Sequence, residues 1–368
     1  MGGELIKLIN RRDFLDRVGA GVIHTQIASG QASSVAAAAH TDAKKFRTPH
    51  KYEKLVLAAS NDPGAFDSKS VDCPFVFHHD GQFFMAYVGY DGVGYQTGLA
   101  SSKDLVSWEK RGLILKRDPG SPITRFNVAM NWVVRENAMG SPGSLKKIRG
   151  RFLGAYHAYP KPGYEEGPGV IGLCWSDDLL RWELGDLCLR PEEGTYWERG
   201  GLYKPCLVEN EGRFYLFYNA KTPNLPKEQG GGWREQTGVA TSADLKQWKR
   251  YEGNPILPNG GQGSWDERFA SDPCVVRDGD VWAMFYFGLD TKGKARDLLA
   301  LGKDPYHFVK VNEILIDIGP EGSVDSTYAH KPAVVFHDGS LYHFYCAVSG
   351  KYPNEVRGIS VARSRPWS

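Results

Sequence analysis

Two aspartates stand just before prolines in similar stretches of the sequence, and both are candidates for acid–base chemistry. Asp72 lies two residues before a proline, and Asp272 lies directly before one. Glu198 and Glu267 lie a few residues upstream of equivalent prolines and add two longer carboxylates. Facing carboxylates can divide acid–base work when one is ionised as base or nucleophile and the other is held protonated by its surroundings. This set of acids is typical of enzymes that cleave glycosidic bonds.

Basic, aromatic and amide residues occupy related positions and could hold a sugar. Lys and His side chains can bind sugar hydroxyls, lower the pKa of a neighbouring acid or bind an anion, and an indole can stack on a sugar ring. Some of these residues directly precede the aligned prolines, and the others come from the least regular repeat unit. The candidate substrate-binding residues are Lys204, His330, Lys331, Tyr203, Asn131, Trp132 and His157, with Asn127 and Arg135 as further choices in the irregular unit.

The prolines belong to a hairpin pattern that recurs along the chain. In each copy, Pro-x-(Val/Leu) opens a β-branched strand, an Asp-Gly, Glu-Gly or similar turn follows, and a second strand alternates aromatic and small residues. Alternation with period two on both sides of a short turn predicts a β-hairpin. The copies are residues 72–89, 204–220, 272–288 and 331–347.

A second pattern follows each hairpin and supplies further strands. It consists of a small-residue strand, then Ser-x-Asp-Leu, then an aromatic residue. The second unit departs from the pattern, with strands predicted at 126–137 and 151–159 on either side of an insertion. The copies of the second pattern are residues 98–112, 171–184, 238–257 and 298–316, with a shortened copy at 358–367.

The two patterns together predict the fold. Helical periodicity is nearly absent, so the fold class is all-β, and five units of this kind indicate a five-bladed β-propeller with four antiparallel strands per blade around a central channel. One blade cannot bury both of its faces, so the stacked blades supply the core. The start of each innermost strand points towards the mouth of the channel, and the candidate residues before the prolines are therefore expected to converge there.

Each aligned proline has an acid seven residues before it, and the candidate Glu198 is one of these repeated acids. A feature that is repeated in several blades is architectural rather than catalytic, because an active site is asymmetric. Glu198 stays a candidate because it is the only Glu of the repeated set, and a longer arm suits a general acid. Glu267 and Asp272 are not repeated across the blades and remain candidates for chemistry. The residues that share the repeated position are Asp67, Glu198, Asp266 and Asp325.

Composition bounds the class of protein and its partners. The chain has 368 residues, of which 41% are hydrophobic and 24% charged, and its formal net charge is +2. These values are ordinary for a soluble globular protein. Basic residues are spread along the chain and no long apolar run occurs, so neither nucleic acid binding nor membrane insertion is expected. The six cysteines include no CxxC pair, which predicts no zinc site and mostly free thiols.

The N-terminal segment, residues 1–45, is predicted to lie outside the fold. Arg11 and Arg12 precede a weakly apolar stretch and the segment SSVAAAAH, a pattern that resembles a twin-arginine export signal. The prediction is an exported protein, periplasmic or extracellular, with a single catalytic domain at residues 46–368.

The repeated motifs resemble those of the five-bladed β-propeller glycosidases. The likeness rests on the five-unit layout, the hairpins that begin Asp-Pro or Asp-x-Pro and the GxAxSxDLxxW strands, over about residues 50–368. This group includes glycoside hydrolase family 43 and its relatives among invertases, levansucrases and mannoside phosphorylases. The resemblance implies that Asp72 is the general base, that Glu198 or Glu267 is the general acid, and that Asp272 orients the substrate or tunes the acid. It also implies an inverting hydrolase of a plant or microbial poly- or oligosaccharide.

Two other functions remain open. A mannoside-type phosphorylase on the same fold would use phosphate in place of water, bound by Lys204, His330 and Lys331. A non-catalytic glycan-binding propeller would bind sugar without turnover. No cofactor is required, and a calcium ion held in the channel by His330 is a further option by analogy. Loops at 117–125, 159–168 and 221–235 are expected to shape the rim of the site, whereas the sugar, its linkage and the oligomeric state are not set by the sequence.

Overall fold

The computed structural model describes residues 43–229, 231–351 and 354–367. The chain divides into Met1–Lys44 and Lys45–Ser368, and the second unit is all-β, which confirms the predicted fold class. The export signal predicted from the sequence lies outside the described residues and stays a prediction. None of the helices in the described ranges is long and apolar enough to span a membrane.

Strands and a few short 3-10 turns make up the regular structure of the described residues. The 3-10 turns are Ala43–Phe46, Pro191–Glu193, Tyr196–Glu198 and Lys227–Gln229. The strands are β1 (His50–Lys51), β2 (Ser70–His79), β3 (Gln82–Tyr90), β4 (Tyr95–Ser102), β5 (Glu109–Leu115), β6 (Ala129–Val133), β7 (Lys147–Ile148), β8 (Arg151–Ala158), β9 (Val170–Ser176), β10 (Glu183–Leu189), β11 (Gly201–Asn210), β12 (Arg213–Lys221), β13 (Glu235–Ser242), β14 (Lys249–Arg250), β15 (Phe269–Asp278), β16 (Val281–Leu289), β17 (Ala295–Gly302), β18 (Phe308–Ile316), β19 (Tyr328–His337), β20 (Ser340–Ser349) and β21 (Val356–Arg363).

The strands form antiparallel meanders in chain order. The first is β2 to β5, and the second is β6, β8, β9 and β10, with short β7 paired to β8. The next two are β11 to β14 and β15 to β18. The last is β19 to β21, and β1 completes it by pairing with β21, so both ends of the described fold share one meander. The first strands of the meanders, β2, β6, β11, β15 and β19, contact one another in this order, and β19 also contacts β2.

Glycines in the third strands explain why a small-residue pattern recurs in the sequence. A Cβ atom on Gly98 in β4 would lie 2.6 Å from the Cζ atom of Tyr87 in the neighbouring strand. A Cβ atom on Gly238 in β13 would lie 2.9 Å from the Cζ atom of Tyr218. Only glycine therefore leaves room for a tyrosine ring to cross from the second strand over the third.

In four meanders, the hydroxyl of a second-strand tyrosine donates to a carboxylate, and a basic side chain forms an ion pair with the same carboxylate. The tyrosine hydroxyl donates to the carboxylate over 2.9–3.1 Å, and the basic nitrogen lies 2.5–2.8 Å away. A contact set that recurs in four meanders fastens the entering loop to the sheet, as expected for an architectural residue. The sets are Asp67 with Tyr87 and Lys110, Glu198 with Tyr218 and Arg250, Asp266 with Tyr286 and Lys310, and Asp325 with Tyr345 and Lys51.

The insertion of the second meander lies between β6 and β8. It crosses the C-terminal ends of several first strands. Its backbone pairs with three of those strands: Met139 donates to Arg277, Phe336 donates to Ser141, and His78 donates to Gly143. These partners sit near the C-terminal ends of β15, β19 and β2, so the insertion covers that end. The opposite end, where the first strands begin, is the one left to hold a site.

Arg135 is buried beneath the insertion without a carboxylate partner in the described part of the chain. Its guanidinium donates to the carbonyl oxygens of Val76 and Val334, the second over 2.8 Å, and lies 5.0 Å from the ring of Phe75 and 5.3 Å from that of Trp132. Burial lowers the pKa of Arg135. Arg135, one of the alternatives for a substrate contact, instead joins two first strands at the covered end.

Replacing Arg135 with methionine is expected to lower the free energy of unfolding by about 3 kcal/mol, because two buried carbonyls lose their donor. Urea unfolding would show a lower midpoint at an unchanged slope. The control is Arg149→Met, at an exposed arginine that donates to the Asp244 carbonyl and should cost no more than about 0.5 kcal/mol. Equal costs for the two variants would contradict a bracing role for Arg135.

Candidate active site

A β-bulge at the start of each first strand builds the site. The register breaks there because a proline cannot donate a ladder hydrogen bond, and bulges re-aim the side chains around them. In β6, which lacks the proline, the break falls between Met130 and Trp132. In the other four strands the residue before the proline has a positive φ, which is uncommon outside glycine and clusters at functional sites. These residues are Cys73 (49°), Lys204 (44°), Asp272 (55°) and Lys331 (68°).

One cavity of about 280 Å³ lies at this end of the fold, and every meander contributes to its wall. Aromatic rings form much of the surface, as is common in sites that bind sugars through ring stacking. The aromatic residues are Tyr95, Tyr164, Trp233, Phe269, Phe287 and Tyr328. The titratable residues are Glu165, Glu235, Asp272, Glu355, His330, Lys331 and Arg357.

Three hydrogen-bond donors hold the Glu235 carboxylate at the start of β13. The Trp233 indole donates to its Oε1 over 2.8 Å, and its Oε2 accepts from the Asn219 amide at 2.9 Å and from the Ser271 hydroxyl at 2.8 Å. Only 4% of Glu235 is exposed. Three donors fix the orientation of its carboxylate, so Glu235 is placed to act as a nucleophile or base.

Asp272 is buried beside Glu235 and shares two of its partners. Its Oδ1 lies 3.1 Å from the Ser271 hydroxyl and 3.2 Å from the Asn219 amide. Burial raises the pKa of Asp272 to about 7, against the opposing effect of Lys331 and Lys204. A hydroxyl has one proton to donate, so a protonated Asp272 can donate to Ser271 while Ser271 donates to Glu235. Ser271 thereby links the two acids in one chain of hydrogen bonds.

Removing the Asp272 carboxylate is expected to change the pH dependence of stability. Between the ordinary value of 3.8 and about 7, the native state keeps a proton that the unfolded state has released. Stability therefore falls as pH rises through this window, by at most about 1.4 kcal/mol per pH unit. Urea unfolding of Asp272→Asn should lack this component. Parallel pH profiles for the variant and the wild type would contradict it.

Glu165 lies in the loop between β8 and β9 and is half-buried. Its Oε2 is 3.4 Å from the ammonium of Lys221, and its Oε1 is 3.7 Å from that of Lys331. The Lys221 ammonium in turn lies 4.4 Å from the ring of Tyr203 and 4.9 Å from that of Trp233. The rim loop thus presents a second carboxylate to the cavity that contains Glu235.

Asp72 is fully buried, and its carboxylate is paired with two cations. Its Oδ2 is 2.9 Å from the Lys331 ammonium and 3.1 Å from the Arg357 guanidinium, and its Oδ1 accepts the Cys73 N–H at 2.7 Å. Burial opposes ionisation, but the charges of Lys331 and Arg357 hold the pKa of Asp72 well below its ordinary value. Asp72 lies behind the two cations that line the cavity. Its role as a base stays a prediction, and this geometry suits a residue that orients the cations.

Of the residues predicted to bind substrate, His330 and Lys331 line the cavity. Burial and the neighbouring Lys331 charge lower the pKa of His330 well below its ordinary value, and its Nδ1 lies 3.2 Å from the Cys346 carbonyl. Four others are buried side chains that are not among the lining residues: Tyr203, Lys204, Asn131 and His157. The described residues contain no group of His, Cys, Asp and Glu arranged to hold a metal ion, and the calcium option stays a prediction.

Trp132, Glu198 and Glu267 are not among the lining residues. The centroid of the Trp132 ring lies 4.6 Å from that of Phe75 in β2, so this indole packs between the first and second meanders. Glu198 makes the architectural contacts of the three repeated aspartates. Glu267 is partly buried in its own loop, where its Oε2 accepts the Gly263 N–H at 2.8 Å. The structure therefore does not bring these three together with Asp272.

The sequence reasoning missed Glu165, Glu235 and Arg357. The two glutamates lie in or at the end of loops that were expected to shape the rim, each close to an aromatic residue that lines the same cavity. A carboxylate beside an aromatic residue in such a loop is the signal that could have found them. The sequence prediction rested instead on residues around the prolines.

Comparisons with known proteins point to carbohydrate-active enzymes. Residues 134–317 match the family described as "Glycosyl hydrolases family 32 N-terminal domain". A 1,2-beta-oligomannan phosphorylase of Thermoanaerobacter sp. (strain X514) is 25% identical over 162 residues, which are 43% of this chain and 45% of that protein. A levanase of Bacillus subtilis (strain 168) is 26% identical over 144 residues, 38% of this chain and 20% of that protein. The matched segments thus span less than half of either relative.

Solved structures match over nearly the whole length of this protein. A complex described by the names BT0996 and RGII has a TM-score of 0.77 and 29% identity, covering 90% of this chain and 96% of the other. A structure described as "Glycoside hydrolase" has a TM-score of 0.74 and 27% identity, covering 94% and 96%. A family-43 glycoside hydrolase with a TM-score of 0.55 and 15% identity, covering 80% and 93%, shares the fold.

Proposed function

We propose that this protein, which belongs to the glycosyl hydrolases family 32 N-terminal domain family, hydrolyses glycosidic bonds with Glu235 and Glu165 as its two carboxylates. The observation that carries this proposal is that both line one aromatic-walled cavity, where three donors fix the carboxylate of Glu235. Glycoside hydrolysis requires one carboxylate to act as base or nucleophile and another to protonate the leaving oxygen.

The surroundings of the two glutamates divide their roles. Glu235 is buried and fixed by Trp233, Asn219 and Ser271, so it activates water or attacks the anomeric carbon. Glu165 lies on the rim, where the leaving group departs, and protonates the glycosidic oxygen. The resemblance seen in the sequence implies inversion, and in an inverting reaction Glu235 would activate the water. NMR of the first anomer released tests this, because direct attack by the carboxylate gives retention.

The charges in the cavity favour water over phosphate as the acceptor. Lys331 is paired with Asp72, and Arg357 is paired with both Asp72 and Glu355. The lowered pKa of His330 leaves it neutral. A phosphate would therefore compete with carboxylates that already occupy the cations. Phosphorolysis is kept as a second candidate only because one relative is an oligomannan phosphorylase.

The size of the cavity and the neighbours suggest the substrate. About 280 Å³ is at the lower limit for sites that enclose small molecules, so the proposed substrate is the end of a poly- or oligosaccharide rather than its middle. The neighbour described by the names BT0996 and RGII makes RGII a substrate to test first, followed by levan and β-1,2-mannan.

A five-bladed propeller architecture and export of the protein are part of the same proposal. The meanders are the blades of a five-bladed propeller, supported by the contacts of the first strands in cyclic order and by the pairing of β1 with β21. Export through the twin-arginine pattern at Arg11 and Arg12 would bring the enzyme to such polysaccharides. Fractionation of cells that carry Arg11→Lys/Arg12→Lys tests it, and unchanged export would contradict it.

The central experiment is a hydrolysis screen against aryl glycosides and these polysaccharides, with and without inorganic phosphate. Release of sugar that does not depend on phosphate is the expected result. Release only with phosphate would replace hydrolysis with phosphorolysis. Binding of a glycan without turnover in either condition would support the non-catalytic alternative and overturn the proposal.

A further inference from the structure

Several buried polar side-chain atoms near the cavity have no hydrogen-bond partner among the described residues. The unpartnered atoms belong to residues that are 5% exposed or less and come from the second and third meanders. They are the ammonium of Lys204, Nε2 of His157, both amide atoms of Asn131 and the hydroxyls of Tyr159 and Tyr203. Buried polar atoms without partners are costly and rare, so this cluster is built for something other than packing.

The members of the cluster lie close together. The ring centroids of Tyr159 and Tyr203 are 5.3 Å apart, and that of His157 is 5.1 Å from Tyr159 and 6.3 Å from Tyr203. Lys204 directly follows Tyr203, and Asn131 occupies the bulge of β6, the strand that contacts β11. The backbone N–H of Lys204 donates to Nδ1 of His157 over 3.1 Å, which ties the start of β11 to β8.

The chemistry of the cluster is that of hydrogen-bond donors. The Nδ1 atom of His157 accepts the Lys204 N–H at 3.1 Å, so the proton of the neutral ring is on the unpartnered Nε2. Burial, together with the charge of Lys204, holds the pKa of His157 well below its ordinary value, and the ring is neutral. The unpartnered groups therefore include an ammonium, an imidazole N–H, an amide NH₂ and two phenol O–H groups, all of which can donate hydrogen bonds.

Lys204 also differs from the other buried lysines near the cavity in the pairing of its charge. Lys331 lies 2.9 Å from a carboxylate oxygen of Asp72, and Lys221 lies 3.4 Å from one of Glu165. Among the described residues, no carboxylate comes within ion-pair distance of Lys204, and Asp272 is largely protonated below about pH 7. One positive charge with neutral donors around it matches a single negative charge.

We infer that this cluster is a binding site for a small monovalent anion of the halide class, held by Lys204, His157 and Asn131 beside the glycan cavity. A compact ion with one charge would satisfy the ammonium and the neutral donors at once. A dianion such as sulfate or phosphate would bring a second charge for which the described residues of the cluster have no partner. The site does not depend on the proposed hydrolysis, and its test measures binding alone.

Thermal unfolding of the full-length protein in sodium chloride against sodium gluconate at equal ionic strength tests the site. Because an anion bound only by the native state stabilises it in proportion to ln(1 + [L]/Kd), we expect the Tm to rise with chloride and bromide but not with gluconate. Lys204→Met should abolish the difference. The matched control Lys249→Met, at a lysine whose side chain is 80% exposed, should retain it. The same halide response in Lys204→Met, or none in the wild type, would overturn the inference.

A second measurement covers the case in which Lys204→Met fails to fold. Crystals of the wild type grown in sodium bromide should show an anomalous peak at hydrogen-bonding distance from the Lys204 ammonium. An ordered water or a sugar hydroxyl at that position, or an ion pair between Lys204 and Asp272, would overturn it. The Asn131→Leu variant, which keeps the charge and removes one donor, should weaken the halide response without abolishing it.

Discussion

Glu235→Gln is expected to lower kcat for a glycoside substrate by on the order of 10⁴, the upper range for loss of a positioned acid–base group. Glutamine keeps the side-chain volume but cannot be ionised, and its NH₂ group would face donors that now face an oxygen. The substrate should still bind, because the aromatic wall is intact, so KM should change much less than kcat. Steady-state kinetics on one aryl glycoside and one polysaccharide give both values.

Two matched Glu→Gln variants distinguish this assignment from the one that the family resemblance implies. Glu267→Gln and Glu198→Gln alter carboxylates outside the cavity and should leave kcat within a few-fold of wild type. Glu198→Gln should also lower the Tm, because Arg250 loses a charged partner at 2.8 Å. A large loss of kcat in either control, with activity retained in Glu235→Gln, would restore the assignment that the resemblance implies.

The repeats made the fold predictable because local rules and tertiary packing agree in them. The segment predicted as a hairpin at 204–220 falls on β11 and β12, and the small-residue segment that follows, 238–257, overlaps β13 and contains β14. The second meander was harder to predict. Its first strand, predicted over 126–137, is only Ala129–Val133, because the chain leaves the sheet there to place Arg135 and the insertion across the covered end.

The prolines also pointed to two residues that line the cavity. A proline near the start of a first strand forces a bulge, and the bulge directs Asp272 and Lys331 to the cavity wall. The ion pairs of Asp72 could not be predicted in this way. Its partner Arg357 is 285 positions away in the sequence, and only the closure of the fold brings the guanidinium to it.

Glu235 and Glu165 were missed for a related reason. An acid beside an aromatic residue in a rim loop is only a weak local signal, and some of the contacts that place each glutamate come from other meanders. Glu235 accepts from Ser271 at the start of β15, and Glu165 lies 3.7 Å from Lys331 of the last meander. An active site of this kind is asymmetric within a repeated fold, so the repeat identifies the scaffold better than the residues that act on it.

Glu165→Gln is expected to lower kcat/KM by on the order of 10³ for substrates with an alkoxide or sugar leaving group, which needs a proton to depart. Aryl glycosides with an acidic phenol as leaving group need little protonation, so their loss should be at least tenfold smaller. The plot of log kcat/KM against leaving-group pKa should therefore be steeper for the variant than for the wild type. Lys221→Met, which removes the ammonium 3.4 Å from Glu165, should give a smaller loss of the same kind. Equal losses for all leaving groups in Glu165→Gln would contradict proton donation and leave Glu165 a substrate-binding residue, because a lost binding contact does not depend on how acidic the departing alcohol is.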